Sequence, residues 1–137
     1  MGENWSPVFE GGGDMKAISI KQPWAWAIFH GKPVENRSWH CKYRGPLLIH
    51  ASKSFDHDGF RWLFENQLRL NIKTVPKRDE FKLGGIIGQV DMIDCVSYHP
   101  SPFFFGPWGH VYDDPEPLPF FPCKGKLGIF EVDYAVK

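Results

Sequence analysis

The sequence predicts a small α+β domain, closer to a partly closed barrel than to a doubly wound sheet. Three observations point there. Most apolar runs have strand length and are bounded by turn residues; only two segments carry helical spacing; and strand and helix do not alternate in repeated units. At 137 residues the chain suits one domain with a core of its own, and twelve phenylalanines make that core bulky.

Residues 1–14, with a triple glycine and the acids Glu3, Glu10 and Asp14, read as a flexible leader, so the domain is expected over 15–137. Ala17–Ile20 is the first strand. Pro23 suits a helix first turn, where its missing N–H costs nothing; the short helix runs from Trp24 to His30, and Gly31 stops it. Gly45–Ser52 is a strand rich in Leu and Ile. Asp56 or Asp58 caps a second helix, in which Phe60, Leu63, Phe64 and Leu68 recur at helical spacing. Residues 71–83 are polar and basic and read as an exposed loop. Ile86–Val96 is a longer strand, partly exposed at Asp91 and Asp94, and Leu127–Val132 is the last strand. Pro100–Pro122 is dense in proline and aromatics and is expected to be irregular. There Phe103–Phe105 plug one end of the barrel, while Trp108, bracketed by glycines that permit close approach, offers a ring face to a ligand.

No apolar run approaches the length of a membrane span, and the N-terminus lacks a basic-then-apolar signal pattern. Cys41, Cys95 and Cys123 are odd in number and far apart, which argues against a disulfide framework and fits a reducing, cytoplasmic setting. His40-Cys41 and His50 lack the paired spacing that zinc requires, and Asp91 and Asp94, three apart on a strand, should face opposite sides. Neither a metal nor a cofactor is expected.

The formal net charge of zero hides an uneven distribution. From Lys16 to Lys53 the bases are Lys16, Lys21, Lys32, Arg37, Lys42, Arg44 and Lys53, against the single acid Glu35. Trp24, Trp26, Trp39 and Tyr43 interleave with them. Basic side chains beside aromatic rings suit phosphates beside stacked bases, although Trp24, in the short helix, is assigned to the core. At the centre stands Gly31-Lys32-Pro33-Val34-Glu35-Asn36-Arg37. If Val34–Arg37 is extended, Glu35 and Arg37 project on one side, with Lys32 at the bend ahead of them. One acid between two bases can hold an anion or a polar ring. The plainer alternative is a surface ion pair of little energetic weight.

The runs Ile18–Ala25, Gly31–Trp39 and Tyr43–Ser52, with Gly85–Asp91 and Lys124–Phe130, resemble the ASCH family, a branch of the PUA-like superfamily, over residues 15–132. Its signature, G-x-K-x-x-E-x-R, is matched at Lys32, Glu35 and Arg37, with Gly31 moved next to Lys32 by the loss of one residue. The resemblance implies a small mixed PUA-like β-barrel with two or three helices packed at its side. The signature should line a cleft beside the first helix that receives nucleic acid or a nucleotide-like ligand.

Two function classes follow. In the first, the domain binds RNA, single-stranded rather than duplex, or a modified base. Lys21, Arg44 and Lys53 contact phosphate; Lys32, Glu35 and Arg37 read a base edge or brace the pocket; Trp39 and Trp108 offer ring faces. In the second it is a hydrolase, as some relatives are, cleaving RNA or removing the acetyl group of N4-acetylcytidine, with Lys32 as base and Glu35 as proton relay. The deacetylating branch carries a threonine nucleophile where this chain has Glu35, which ranks binding above catalysis. A small metabolite or a protein partner in the same cleft is a third reading.

Overall fold

The computed structural model describes residues 14–134. The expected leader therefore lies outside the described residues, apart from Asp14, which already belongs to a strand. In chain order the elements are β1 (Asp14–Gln22), α1 (Trp24–Ile28), β2 (Val34–Arg37), β3 (Gly45–Phe55), α2 (His57–Glu65), a single turn of 3-10 helix (Arg78–Glu80), β4 (Gly85–Val96), β5 (Trp108–Pro122) and β6 (Ile129–Asp133). The strands form one mixed six-stranded sheet in the order β2-β5-β4-β3-β1-β6. Only β1 and β3 run parallel; the remaining neighbours are antiparallel. The sheet is barrel-like without being closed, since β2 and β6 are its two edges among the described residues.

Both faces of the middle strands are covered, which explains the near-continuous apolar run in β3. Leu47, Ile49 and Ala51 join Ile18, Ile20, Val90 and Met92 in one core, with Ala25 and Ile28 of α1 against it. Leu48 faces the other way, with Met15, Ala17, Ile86, Phe130 and Val132. A third cluster, built on Val34, Leu63, Leu70, Ile72 and Phe103, seats α2 and the aromatic loop on β2.

Several expectations change. Helix α1 stops at Ile28, two residues early, and Gly31 follows at φ +108, the left-handed conformation that turns the chain into β2. Helix α2 is capped by Asp56, whose Oδ1 accepts from the Gly59 N–H at 2.8 Å, but it ends at Glu65. Leu68 lies beyond it, fully exposed, and Phe64 is exposed too; Leu63 alone of the expected stripe is fully buried. Residues 71–83 are not wholly exposed, because Ile72 and Phe81 are buried. Asp91 and Asp94 are both exposed: a register shift between Met92 and Asp94 breaks the strand's alternation.

The largest correction is Pro100–Pro122, whose second half is β5, fifteen residues long. Strand β2 pairs only with Trp108–Val111, so among the described residues one edge of β5 beyond Val111 has no partner strand. Pro115 and Pro119 fall where the register against β4 shifts, and bulges and open edges are the places where a sheet tolerates proline. Three register shifts against β4 absorb the remaining irregularity. Phe103 is buried, but in the third cluster between α2 and β2 rather than at an end of the sheet core, and Phe105 is 67% exposed.

Candidate functional site

The site lies where the sheet fails to close. β6 covers β1 only from Asp14 to Ile18, leaving the edge of Ser19–Gln22 without a strand among the described residues. Arg37, on the opposite edge strand β2, fills the gap: its Nη2 donates to the Ser19 carbonyl oxygen at 2.8 Å. The seam so bridged is an open cleft of about 820 Å³. Its walls come from β1 (Ser19, Ile20, Lys21), β2 (Glu35, Asn36, Arg37), β3 (His50, Ser52, Lys53) and the turn from Cys123 to Gly128. Alternation along β1 and β3 carries each strand from core to cleft on one face: Ala17, Ser19, Lys21 and, beside them, Leu48, His50, Ser52.

The predicted triad forms. Lys32 Nζ donates to Glu35 Oε1 at 2.6 Å, and Arg37 Nε donates to Glu35 Oε2 at 3.2 Å. Strand geometry puts Glu35 and Arg37 on one side, as the alternation requires. This is no surface pair, since Lys32 is 3% and Glu35 7% exposed. Burial alone would push the Glu35 carboxyl up; the charges and hydrogen bonds of Lys32 and Arg37 outweigh it and hold the carboxyl below its ordinary value. The carboxylate is thereby spent on its two partners. Five cations line the cleft (Lys21, Arg37, Lys53, Lys124, Lys126) against this one neutralised acid. Among the described residues none of the four lysines enters an ion pair.

A second, smaller cavity of about 300 Å³ adjoins the cleft through Trp24, Glu35 and Asn36, and is otherwise lined by Lys32, Asp56, Phe103 and Phe105. Trp24, assigned to the core from sequence, stands between the two. Its Nε1 donates to Asp56 Oδ2 at 2.9 Å, and the Lys32 ammonium lies 5.7 Å from its ring centroid, within cation–π range. Asn36, on the other face of β2 from Glu35, accepts from the Phe105 and Gly106 N–H groups and donates to the Phe103 carbonyl, fixing the aromatic loop to this cavity.

Of the residues predicted for the site, Lys21, Glu35, Arg37 and Lys53 line the cleft, and Lys32 sits beneath it on the smaller cavity. Trp39, Arg44 and Trp108 do not. Trp39 packs edge-on against His110 at 4.7 Å, and Trp108 against His40 at 4.8 Å, both half-buried on the first core. The Arg44 guanidinium donates to the carbonyls of Cys41 and Tyr43, with Asp94 at 3.9 Å, so it staples its own loop. His110 is wholly buried opposite Glu35 in the β2–β5 register; burial holds its imidazole below the usual range. Sequence reasoning missed Lys124 and Lys126. Their signal was the Lys-Gly-Lys-Leu-Gly run ahead of the last strand, where Gly128, at φ +66, turns the chain from the cleft into β6.

Among the described residues no group of histidines, cysteines or acids is arranged to hold a metal ion, and no helix is long and apolar enough to cross a membrane. A family model described as the ASCH domain matches residues 18–113, which contain the triad, the second half of β1 and all of β2 to β4, but not the Lys124–Gly128 wall. The chain is also 32% identical to human (Homo sapiens) activating signal cointegrator 1 over 91% of its own length, and 36% identical to the mouse (Mus musculus) protein of that name over 65%. It spans 23% and 15% of the length of these two relatives. The matched signature, sitting at the seam of a barrel-like α+β sheet, places this chain in the ASCH domain family.

Proposed function

We propose that the domain binds single-stranded RNA or a nucleotide-like ligand in the seam cleft. One observation carries this reading: an open, strongly cationic cleft whose only acid is already committed to Lys32 and Arg37. Lys21, Lys53, Lys124 and Lys126 meet phosphates. The adjoining cavity takes a base against Trp24 and Phe105, and its size suits an unstacked base, which a duplex does not present. Lys32 and Arg37 brace Glu35 and hold the seam. The hydrolase reading through Lys32 and Glu35 has less support, because the two are buried and bonded to one another.

Fluorescence anisotropy with an end-labelled single-stranded oligoribonucleotide, repeated over a range of salt, tests the reading. Lys21→Ala and Lys126→Ala should each weaken binding and flatten the salt slope by about 0.7. Phe105→Ala, at an exposed ring, should lose about 1–3 kcal/mol of stacking with the slope unchanged. Unchanged affinity in all three variants would overturn the assignment, and a denaturing gel of the same mixtures shows whether the RNA stays intact.

A further inference from the structure

Binding leaves one pair of side chains in the cleft unused. Ser19 and His50 are direct partners in the β1–β3 register, and Ser19 Oγ lies 2.9 Å from His50 Nδ1. The other ring nitrogen, Nε2, lies 2.8 Å from the Cys123 carbonyl oxygen, which can only accept. Nε2 therefore carries the proton, Nδ1 keeps its lone pair, and the Ser19 hydroxyl donates to it. A base on a hydroxyl, with an acceptor orienting the base from behind, is the arrangement that activates a serine nucleophile. His50 is 2% exposed and held on both nitrogens, whereas Ser19 is half-buried and opens on the cleft. Gly125 stands over the pair. A Cβ there would come within 2.8 Å of both Ser19 Oγ and His50 Cε1, and its backbone is not in the left-handed region. Gly125 therefore packs directly on the pair, and any side chain at this position would press on the Ser19 hydroxyl and the His50 ring.

We propose that Ser19 and His50 form a nucleophile–base pair that hydrolyses a carboxylic ester of a phosphate-bearing alcohol, such as an acylated ribose hydroxyl; the nucleotide case rests on the binding reading above. The lysines hold the phosphate, which sets the ester carbonyl over Ser19. As Oγ bonds to the carbonyl carbon, its proton passes to His50 Nδ1, and the Nε2–H bond to Cys123 steadies the charged ring. Arg37, tied to the Ser19 carbonyl, supplies positive charge beside the developing oxyanion. Collapse expels the alcohol, which takes the proton from Nδ1 and leaves an acyl-serine. Water then attacks, gives its proton to Nδ1, and the second collapse returns that proton to Ser19 and releases the acid. An ester suits a single base better than an amide, because an alkoxide leaves far more readily than an amide anion, whose nitrogen must be protonated before it departs.

The test treats the full chain with a fluorophosphonate, read by intact and peptide mass, and follows acetate release from 2′(3′)-O-acetyl-AMP. The expected result is an adduct on Ser19 and ester hydrolysis above buffer. Both should fall about tenfold or more in Ser19→Ala, which removes one oxygen, and in Gly125→Ala, whose methyl would press the hydroxyl and the ring apart. Thermal melts confirm that each variant is folded. Folded wild type with neither adduct nor hydrolysis overturns the pair. RNA binding without ester chemistry would leave the binding reading standing alone, and ester chemistry without RNA binding would keep the pair and remove RNA as its carrier.

Discussion

The β1–β3–β4 flank and the seam between β1 and β2 meet the same need, holding two strands together, by different means. At the flank the backbone does it. Parallel and antiparallel ladders run on either side of β3, with apolar side chains covering both faces. At the seam the backbone ladder stops at Ile18, and Lys32, Glu35 and Arg37 take its place, ending on the Ser19 carbonyl. A ladder uses up its donors and acceptors and excludes water. Side chains that bridge a gap leave an opening, and here the opening is lined with cations. The cleft proposed to bind lies where backbone hydrogen bonding gives out.

The contrast can be broken from either side. The largest effect is expected from Glu35→Leu, which leaves the Lys32 ammonium buried without its counter-charge; urea titration should show a loss of about 3–5 kcal/mol. On the flank, Leu48→Ala opens a cavity in the second core and should cost about 2–5 kcal/mol, with RNA affinity of the folded fraction unchanged. The pH response sharpens the comparison. Because the Glu35 carboxyl is held below its ordinary value, the unfolded chain takes up its proton first as pH falls. The stabilisation is therefore complete above about 4.3, the ordinary glutamate value, and is lost as pH falls through the lower folded value. Denaturation midpoints of wild type and Glu35→Gln should converge in that acid window, whereas Leu48→Ala should stay offset from wild type throughout. Arg44→Ala gives the smallest effect: within about 0.5 kcal/mol in stability, and no change in the RNA salt slope, since Arg44 lies outside the cleft.

What could be read from sequence follows the same division. The triad was legible because alternation along four residues fixes which side chains share a side, and the turn at Gly31 places Lys32 beside them. The flank strands were legible from their apolar runs, with ends that coincide or miss by up to three residues. β5 was not, because its prolines signal a loop unless one knows that the strand has an unpaired edge. The basic, aromatic segment around Trp39 and Arg44 was read as site because proximity along the chain stood in for proximity in space; Arg44 turns back on its own loop instead. Lys124 and Lys126 lie more than seventy residues from Lys53, and only the parallel pairing of β1 with β3 and the return of β6 bring them together.

The pairing of β2 with β5 also bears on when the cleft can exist. Glu35 and Arg37 belong to the first third of the chain, yet the strand that carries them has as its ladder partner Trp108–Val111. During synthesis the ions of the triad emerge early and must wait for that partner, a long loop closure of the kind that slows folding. A nascent chain halted before Trp108 contains Lys32, Glu35 and Arg37 but has no strand on which to hold them.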